Sequence, residues 1–188
     1  MNKIKTFNLI ARQAMFFVAA ISLFIPTAFS AEQPNLVTNG SFENDTPGSV
    51  PAGYVASPED SGATLVVDGS VGFNDSKQSA KISGATQGNN GASYLYTINV
   101  LPGEKYKVES FCKQIGVGTA SMQIFWKTGD TWSIYATKTY SGDGDWKKAV
   151  IDVTVPAATV TTTLTLRLYV EPHTSGTAWF DNVSIQKN

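Results

Sequence analysis

Apolar and polar residues alternate along most of the chain, and this two-residue period predicts β-strands. Residues 148–155 and 163–170 show it most clearly, because apolar side chains fall on every second position with mostly polar residues between them. No window places apolar residues at the three- and four-residue spacing of an amphipathic helix. The pattern therefore predicts an all-β domain in which each strand turns one face to the core.

Further strands are expected where shorter stretches of the same kind lie between turn-forming Pro, Gly, Asn and Asp residues. About ten short strands at this spacing predict a two-sheet antiparallel β-sandwich. The additional predicted strands are Thr64–Asp68, Gln78–Ser83, Ser93–Val100, Lys105–Lys113, Ser121–Trp126, Ser133–Thr137 and Ala178–Gln186.

The first 30 residues have the pattern of a secretory signal peptide. Three basic residues precede an uncharged apolar run of 12 residues, 14–25, and small residues stand at positions 28 and 30. This run is too short for a membrane-spanning helix, which needs about 20 residues. We expect cleavage after Ser30, a secreted or periplasmic protein without membrane insertion, and one domain over residues 31–188. The alternative is an uncleaved N-terminal anchor.

Charge and composition argue against several classes of function. Without the three basic residues of the leader, 11 Lys and Arg stand against 15 Asp and Glu. No basic surface is therefore expected for nucleic acid or anionic lipid. Cys112 is the only cysteine, which precludes an internal disulfide, and we expect it to be buried.

The sequence shows no set of residues that would make the protein an enzyme. His173 is the only histidine, so a catalytic zinc site is not expected. Paired carboxylates from distant strands, such as Glu109 with Glu171, are the remaining route to catalysis. We expect no catalytic residues.

Five segments in order carry a resemblance to a known fold family. They are NLVTNGSFE (35–43), PAGY (51–54), NVLPGEKYKVESFCK (99–113), GDWKKAVIDVTVP (144–156) and SGTAWFDNVSI (175–185). The chain resembles the galactose-binding-like jelly rolls that include carbohydrate-binding modules of families 4, 9 and 22. That resemblance implies non-catalytic binding of a polysaccharide or oligosaccharide, either alone or with a separately encoded glycan-active enzyme. The alternative functions are a structural or adhesive cell-surface protein without a sugar cleft and, third, a glycan-active enzyme.

The resemblance also implies a calcium ion that stabilises the fold. Glu43 in the first turn and Asp181 in the last strand would converge on one ion, which prefers about six to eight oxygen ligands. Backbone carbonyls would come from near Ser41 and from the loop that contains Asp75 and Lys77. The alternative is that Glu43 and Asp181 accept hydrogen bonds from turn amides or pair with lysines.

A face of aromatic and polar side chains is expected to bind the sugar, because a sugar ring has an apolar face and a rim of hydroxyls. Trp132 is predicted to be an exposed stacking platform, whereas Trp146 and Trp179 are expected in the core. As an alternative, loops cover the binding face and Phe111 and Phe125 form a second, minor core. The residues that strand alternation directs away from the core, and that we expect to form one floor, are Glu109, Phe111, Gln123, Phe125, Arg167 and Tyr169.

Overall fold

The computed structural model describes residues 33–128, 131–157 and 161–188, so the predicted signal peptide lies outside the described residues. Within them every regular element is a β-strand, and no helix is long and apolar enough to cross a membrane. In chain order the strands are β1 (Val55–Ser57), β2 (Thr64–Asp68), β3 (Ser79–Ser83), β4 (Ala92–Asn99), β5 (Lys105–Ile115), β6 (Ala120–Thr128), β7 (Thr131–Tyr140), β8 (Lys147–Thr154), β9 (Thr161–Val170) and β10 (Thr177–Lys187).

These strands form two five-stranded sheets. Sheet A has the order β1-β4-β9-β6-β7, and sheet B has the order β2-β3-β10-β5-β8. All neighbouring strands are antiparallel. Strands far apart in the chain are neighbours in both sheets, as in a jelly roll. The prediction of an all-β, two-sheet antiparallel sandwich is confirmed.

The core lies between the sheets and takes the alternating apolar side chains of both. Tyr94 and Leu166 of sheet A are fully buried, as are Val108 and Phe180 of sheet B. Burial of one such side chain contributes about 2 kcal/mol, so the alternation fixes which face of each strand is inside. Cys112 is buried and free, and its burial raises the pKa of the thiol well above its usual range.

The first turn of the described chain packs directly against the last strand. The Val183 amide donates to the Gly40 carbonyl at 2.9 Å, and the Leu36 amide donates to the Ile185 carbonyl at 2.8 Å. A Cβ atom on Gly40 would lie 2.0 Å from the Val183 oxygen, so only glycine fits between the two backbones. The expected proximity of Glu43 to Asp181 therefore follows from main-chain packing.

Both tryptophans that were expected in the core lie elsewhere, and that prediction was wrong. Trp179 is half-buried on the outer face of sheet B, where its Nε1 donates to Asp68 at 3.0 Å. Its neighbours Ala178 and Phe180 take the inward positions of β10. Trp146 is also half-buried and packs edge-on to Phe73, with ring centroids 5.7 Å apart. Strand parity, rather than residue size, decides which side chains enter the core.

Candidate functional site

The outer face of sheet A carries an open groove with a volume of about 200 Å³. Side chains from β4, β9, β6 and β7 line it, together with one residue from the loop after β1. The lining is therefore built from strands that are far apart in the sequence. Its residues are Glu59, Ser93, Leu95, Phe125, Trp132, Thr165 and Arg167.

Strand pairing arranges the groove floor in rows across the sheet. Leu95 of β4, Arg167 of β9 and Gln123 of β6 are paired in one row. Thr165 and Phe125 are paired in the next row. Directly paired residues share a face and have Cβ atoms about 5 Å apart, so apolar and polar groups alternate within reach of one ligand. The floor suits a molecule with flat apolar faces and hydroxyl groups.

Trp132 forms one wall of the groove, as the sequence predicted for an exposed aromatic platform. It pairs with Lys127, two positions beyond the pair Phe125 and Ile134, so all four side chains lie on the same side of the sheet. Trp132 is 50% exposed. The Lys127 ammonium lies 5.7 Å from the centre of the Trp132 ring, a cation–π distance. Trp132 thus offers an accessible aromatic surface.

A cation and two buried polar side chains supply the hydrogen-bonding capacity of this face. The Arg167 guanidinium stacks over the Tyr169 ring at 4.3 Å, and burial lowers the pKa of Arg167. Gln123 Nε2 donates to Ser121 Oγ at 3.2 Å. Gln123 Oε1 and Ser93 Oγ have no hydrogen-bond partner among the described residues. Buried polar atoms without partners are uncommon in folded proteins, so these two atoms retain hydrogen-bonding capacity that the described residues do not use.

Glu109 and Phe111 do not belong to this floor, and the expectation of one six-residue floor was wrong. Both residues point outward, as alternation predicted, but they lie on β5 of sheet B. Phe111 is covered by Phe73, with ring centroids 3.9 Å apart. Glu109 forms salt bridges with Lys107 at 2.5 Å and Lys148 at 3.0 Å. Loop coverage, the alternative considered above, therefore applies to Phe111.

The remaining predicted residues share the outer face of sheet A. Phe125, Trp132 and Arg167 line the groove itself. Gln123 and Tyr169 lie beside it in the sheet, and Tyr169 supports the Arg167 guanidinium. Phe125 is not covered as Phe111 is, so the second-core alternative does not describe this sheet.

Sequence reasoning missed four lining residues. Leu95, Ser93 and Thr165 could have been found by the alternation that was used for Arg167, because they occupy the outward positions of β4 and β9. Glu59 has no such signal, since it lies in the loop after β1 and reaches the groove through the fold alone.

A second cluster of oxygen atoms surrounds Ser76 beside the joined chain ends. Ser76 Oγ lies 2.7 Å from Glu43 Oε1, 2.9 Å from the Gln78 carbonyl and 3.3 Å from the Ser41 carbonyl. A hydroxyl has one proton to donate, so it cannot satisfy three acceptors together. The Ser76 proton therefore cannot satisfy both carbonyl oxygens, and oxygen atoms gathered in this way suit a hard cation.

Asp181 belongs to the same region and is fully buried. Its carboxylate accepts the Phe73 amide at 2.7 Å and the Asn182 amide at 2.6 Å. No lysine or arginine forms a salt bridge with it within the described part of the chain. Burial raises the pKa of Asp181 to about 6 despite these hydrogen bonds, and the nearby Glu43 adds to the rise.

Glu43 is exposed and accepts three hydrogen bonds on one oxygen. The donors are Ser76 Oγ and the amides of Lys77 and Gln78, at 2.7, 2.7 and 2.8 Å. Burial raises the pKa of Glu43, but these bonds outweigh it and hold the pKa below its usual range. Both acidic residues thus accept turn amides, as the alternative to calcium foresaw, while two carbonyl oxygens remain close by.

The loop residues that the resemblance implied are only partly in place. Asp75 is exposed, and Lys77 directs its amide, a hydrogen-bond donor, at Glu43. The loop carbonyl that joins the cluster belongs to Gln78, which the sequence did not single out. Within residues 33–128, 131–157 and 161–188 no three His, Cys, Asp or Glu residues group as metal ligands, so backbone carbonyls would have to complete the coordination.

Solved structures of other proteins support the two-sheet fold of this chain. A search of the curated proteins found no match. Among solved structures the chain is similar to a CBM4 structure at 20% identity and a TM-score of 0.60, covering 81% of this chain and 99% of that one. It is also similar to the CBM22-1 xylan-binding domain from Paenibacillus barcinonensis Xyn10C at 17% identity and a TM-score of 0.57, covering 83% and 96%. A third similar structure is a cyclase from Fischerella sp. TAU, at 16% identity and a TM-score of 0.61, covering 84% and 96%.

Identities this low support the fold alone, and the family follows from the sequence itself. The family model described as "Carbohydrate binding domain" (CBM_4_9) matches residues 34–177, which is most of the chain. That match includes the strands that form the groove and the segment that carries Glu43. The chain therefore belongs to the CBM_4_9 carbohydrate binding domain family.

Proposed function

We propose that this protein binds a polysaccharide or oligosaccharide in the groove of sheet A and does not change it chemically. The observation that carries the proposal is a half-exposed Trp132 ring beside Phe125 on a face that also holds Arg167 and Gln123. Covering about 100 Å² of sugar ring contributes roughly 2.5 kcal/mol before ordering costs. Two such contacts with a few hydrogen bonds correspond to a binding free energy of about −4 to −8 kcal/mol, that is, to a Kd between about 1 mM and 1 μM.

The groove has too few acidic groups for glycan hydrolysis. Glu59 is the one carboxylate among its lining residues in the described structure. Most glycosidases use two carboxyl groups, one as acid and one as base or nucleophile. Glu109 was the other acidic residue considered for a catalytic pair. It lies on sheet B, away from the groove, and forms salt bridges with two lysines of that sheet. Binding without catalysis is therefore the function that the site supports.

The rival function, a structural or adhesive protein without a sugar cleft, has less support. It requires the outer face of sheet A to be covered or featureless. Instead that face has an open groove with a half-exposed tryptophan at its wall.

We also propose that one calcium ion ties the first turn to the last strand. Glu43 and Asp181 would hold it with the carbonyls of Ser41 and Gln78, because these atoms form an oxygen-rich cluster in which both carbonyls compete for the single Ser76 proton. The cation would offset the buried charge of Asp181. It would also bind the Ser41 and Gln78 carbonyl oxygens, which the single Ser76 proton cannot satisfy together. It would stabilise the fold at a distance from the sugar groove and take no part in ligand contact.

Export is part of the same proposal and rests on the pattern of residues 1–30. A basic start, a short apolar run and small residues before position 31 suit a secreted or periplasmic protein. In that compartment the natural partners are extracellular glycans and a separately encoded enzyme that acts on them. N-terminal sequencing of the exported protein tests cleavage after Ser30.

One set of measurements separates the three functions. The folded protein is incubated with soluble and insoluble glycans, with and without a chelator, and both bound protein and released reducing ends are measured. We expect binding to at least one glycan with no release of reducing ends. Absence of binding to every glycan would favour the adhesive function, and release of reducing ends would establish an enzyme.

A further inference from the structure

Arg167 is the only arginine after the leader, and it lies on the floor of the groove. The other ten basic residues of 31–188 are lysines. Arg167 is paired with Leu95 on one side and Gln123 on the other, so it occupies the middle of the sheet. Its side chain is half-buried. This placement calls for a physical reason.

The Arg167 guanidinium forms no direct salt bridge in the described structure, although Glu59 is near enough to interact with its charge. No carboxylate lies within salt-bridge distance of the guanidinium. Glu59 lines the same groove, but its Oε1 accepts Ser57 Oγ at 2.6 Å. Tyr169 supports the guanidinium from one side at 4.3 Å and offers no charge. A half-buried guanidinium that no carboxylate contacts directly keeps its N–H groups available for an anionic ligand.

Arginine is also the side chain best suited to a planar anion. Its rigid fork of N–H groups matches the two oxygens of a carboxylate, and such bidentate bonds are stronger than those to neutral groups. Stacking on Tyr169 fixes the plane of the fork before a ligand arrives. Lys127, beside Trp132, adds a second cation on the same face. In a chain with an acidic balance, these two cations are concentrated where the ligand would bind.

We propose that the groove selects glycans whose sugar units carry a carboxylate, that is, uronic acids, and that Arg167 binds this group. The inference rests on the proposed function and adds the class of ligand. One sugar ring would lie against Trp132 and Phe125, within reach of the neighbouring row that holds Arg167. The planar fork favours a carboxylate over a neutral hydroxyl, which takes only one of its bonds at a time.

Glu59 acts against the anion and therefore sharpens the test. It is exposed at the rim of the groove and carries a negative charge near the ligand site. Removal of this charge in Glu59→Gln should strengthen the binding of an anionic glycan and leave a neutral one almost unchanged. Removal of the cation in Arg167→Gln should act in the opposite direction. Opposite effects of two substitutions in one groove are difficult to produce by misfolding.

The experiment is calorimetric titration of the full exported protein with oligouronates and with the same oligosaccharides after carboxyl reduction. Neutral oligomers of glucose, xylose and mannose complete the panel. We expect at least one oligouronate to bind about tenfold or more tightly than its reduced form, with the difference shrinking in about 0.5 M NaCl. Arg167→Gln should abolish the preference, and Arg167→Lys should retain part of it.

Lys113→Gln on the outer face of sheet B is the matched control and should leave every affinity unchanged. If the reduced or neutral oligomers bind as well as the oligouronates, and Arg167→Gln weakens both equally, the uronate inference is wrong while glycan binding stands. If no oligomer of either kind binds, glycan binding itself is wrong. Preference for a sulfated glycan over every oligouronate would also overturn the inference.

Discussion

Trp132 and Tyr135 show how a single bulge decides the role of an aromatic residue. Both are exposed and lie three positions apart on β7. Pairing shifts between Ile124 and Phe125, so Tyr135 has no partner on β6. Tyr135 instead packs edge-on to the core residue Trp126, with ring centroids 5.4 Å apart. Trp132 is left facing the groove.

Trp132→Ala should weaken glycan binding by about 2 kcal/mol, or about thirtyfold, because it removes one stacking surface. The melting temperature should change little, since half of the side chain is already exposed. Tyr135→Ala is the matched control and should leave affinity unchanged. Calorimetric titration and thermal unfolding measure the two effects. A large fall in the melting temperature of Trp132→Ala, or equal loss of affinity in both variants, would show that the groove is misplaced.

Gly40 is the residue that allows the chain ends to touch. Gly40→Ala would place a Cβ atom 2.0 Å from the Val183 oxygen, and that backbone is held by a hydrogen bond to Gly40 itself. Overpacking of this kind costs about 1–3 kcal/mol, and we expect the upper end because neither atom belongs to a flexible side chain.

Gly103→Ala is the control for Gly40, since Gly103 has a positive φ but open space around it. It should cost only the backbone strain of about 1 kcal/mol. Urea unfolding of both variants gives the comparison. Equal stability loss in the two would mean that the chain ends are less tightly joined than the structure indicates.

At the scale of the strand, the sequence predicted most elements and their inward faces. The alternating apolar residues of β5, β6 and β9 face the core in the structure, because burial of each of them stabilises the same core. β1 was not predicted, since its three residues are too few to show a period. The assignment of strands to sheets could not be predicted either. A sandwich has two outward faces, and alternation cannot tell them apart.

That ambiguity explains why some predicted site residues share the groove face and others lie on the opposite sheet. Glu109 and Phe125 have the same outward parity, yet β5 and β6 belong to different sheets although they follow each other in the chain. Glu59 and Gln78 lie in loops, where no periodicity exists and only the fold determines which atoms meet. The groove and the oxygen cluster are therefore properties of topology more than of local sequence.

Asp68 at the end of β2 links that strand to two neighbours. Its Oδ2 accepts Trp179 Nε1 of β10 at 3.0 Å and lies 3.2 Å from Lys81 Nζ of β3. Burial raises the pKa of Asp68, but the hydrogen bonds from Trp179, Ser70 and Lys81 outweigh it and lower the pKa to about 2. The ionised form is therefore favoured in the folded state.

The sign of the pH effect follows from this pKa. Asp68 contributes stability above its ordinary value of 3.8 and loses it as pH falls through about 2. Asp68→Asn should lower the free energy of unfolding by about 1–2 kcal/mol at neutral pH, with the difference from wild type shrinking at about pH 4 to 2. Asp145→Asn, whose side chain is 85% exposed, is the control. A constant difference at all pH values would contradict the proposed ionic contribution.

For the whole molecule, the oxygen cluster at Ser76 should link calcium to global unfolding. The N-terminal segment, the loop before β3 and the last strand meet there, so a bound ion would close the sandwich at its chain ends. At a free calcium concentration of about 100 times Kd the ion would add about 2.7 kcal/mol, which for a domain of this size raises the melting temperature by roughly 5–10 °C.

Glu43→Gln tests that link, because it keeps an oxygen for the amides of Lys77 and Gln78 but removes the charge that a cation requires. Its melting temperature should no longer respond to calcium or to a chelator. Glu59→Gln removes the same charge in the sugar groove and should retain the full response, because Glu59 is not among the proposed calcium ligands. If the melting temperature of wild type is insensitive to calcium and to a chelator, the calcium proposal is wrong, and the Phe73 and Asn182 amides stabilise the buried Asp181 carboxylate without a cation.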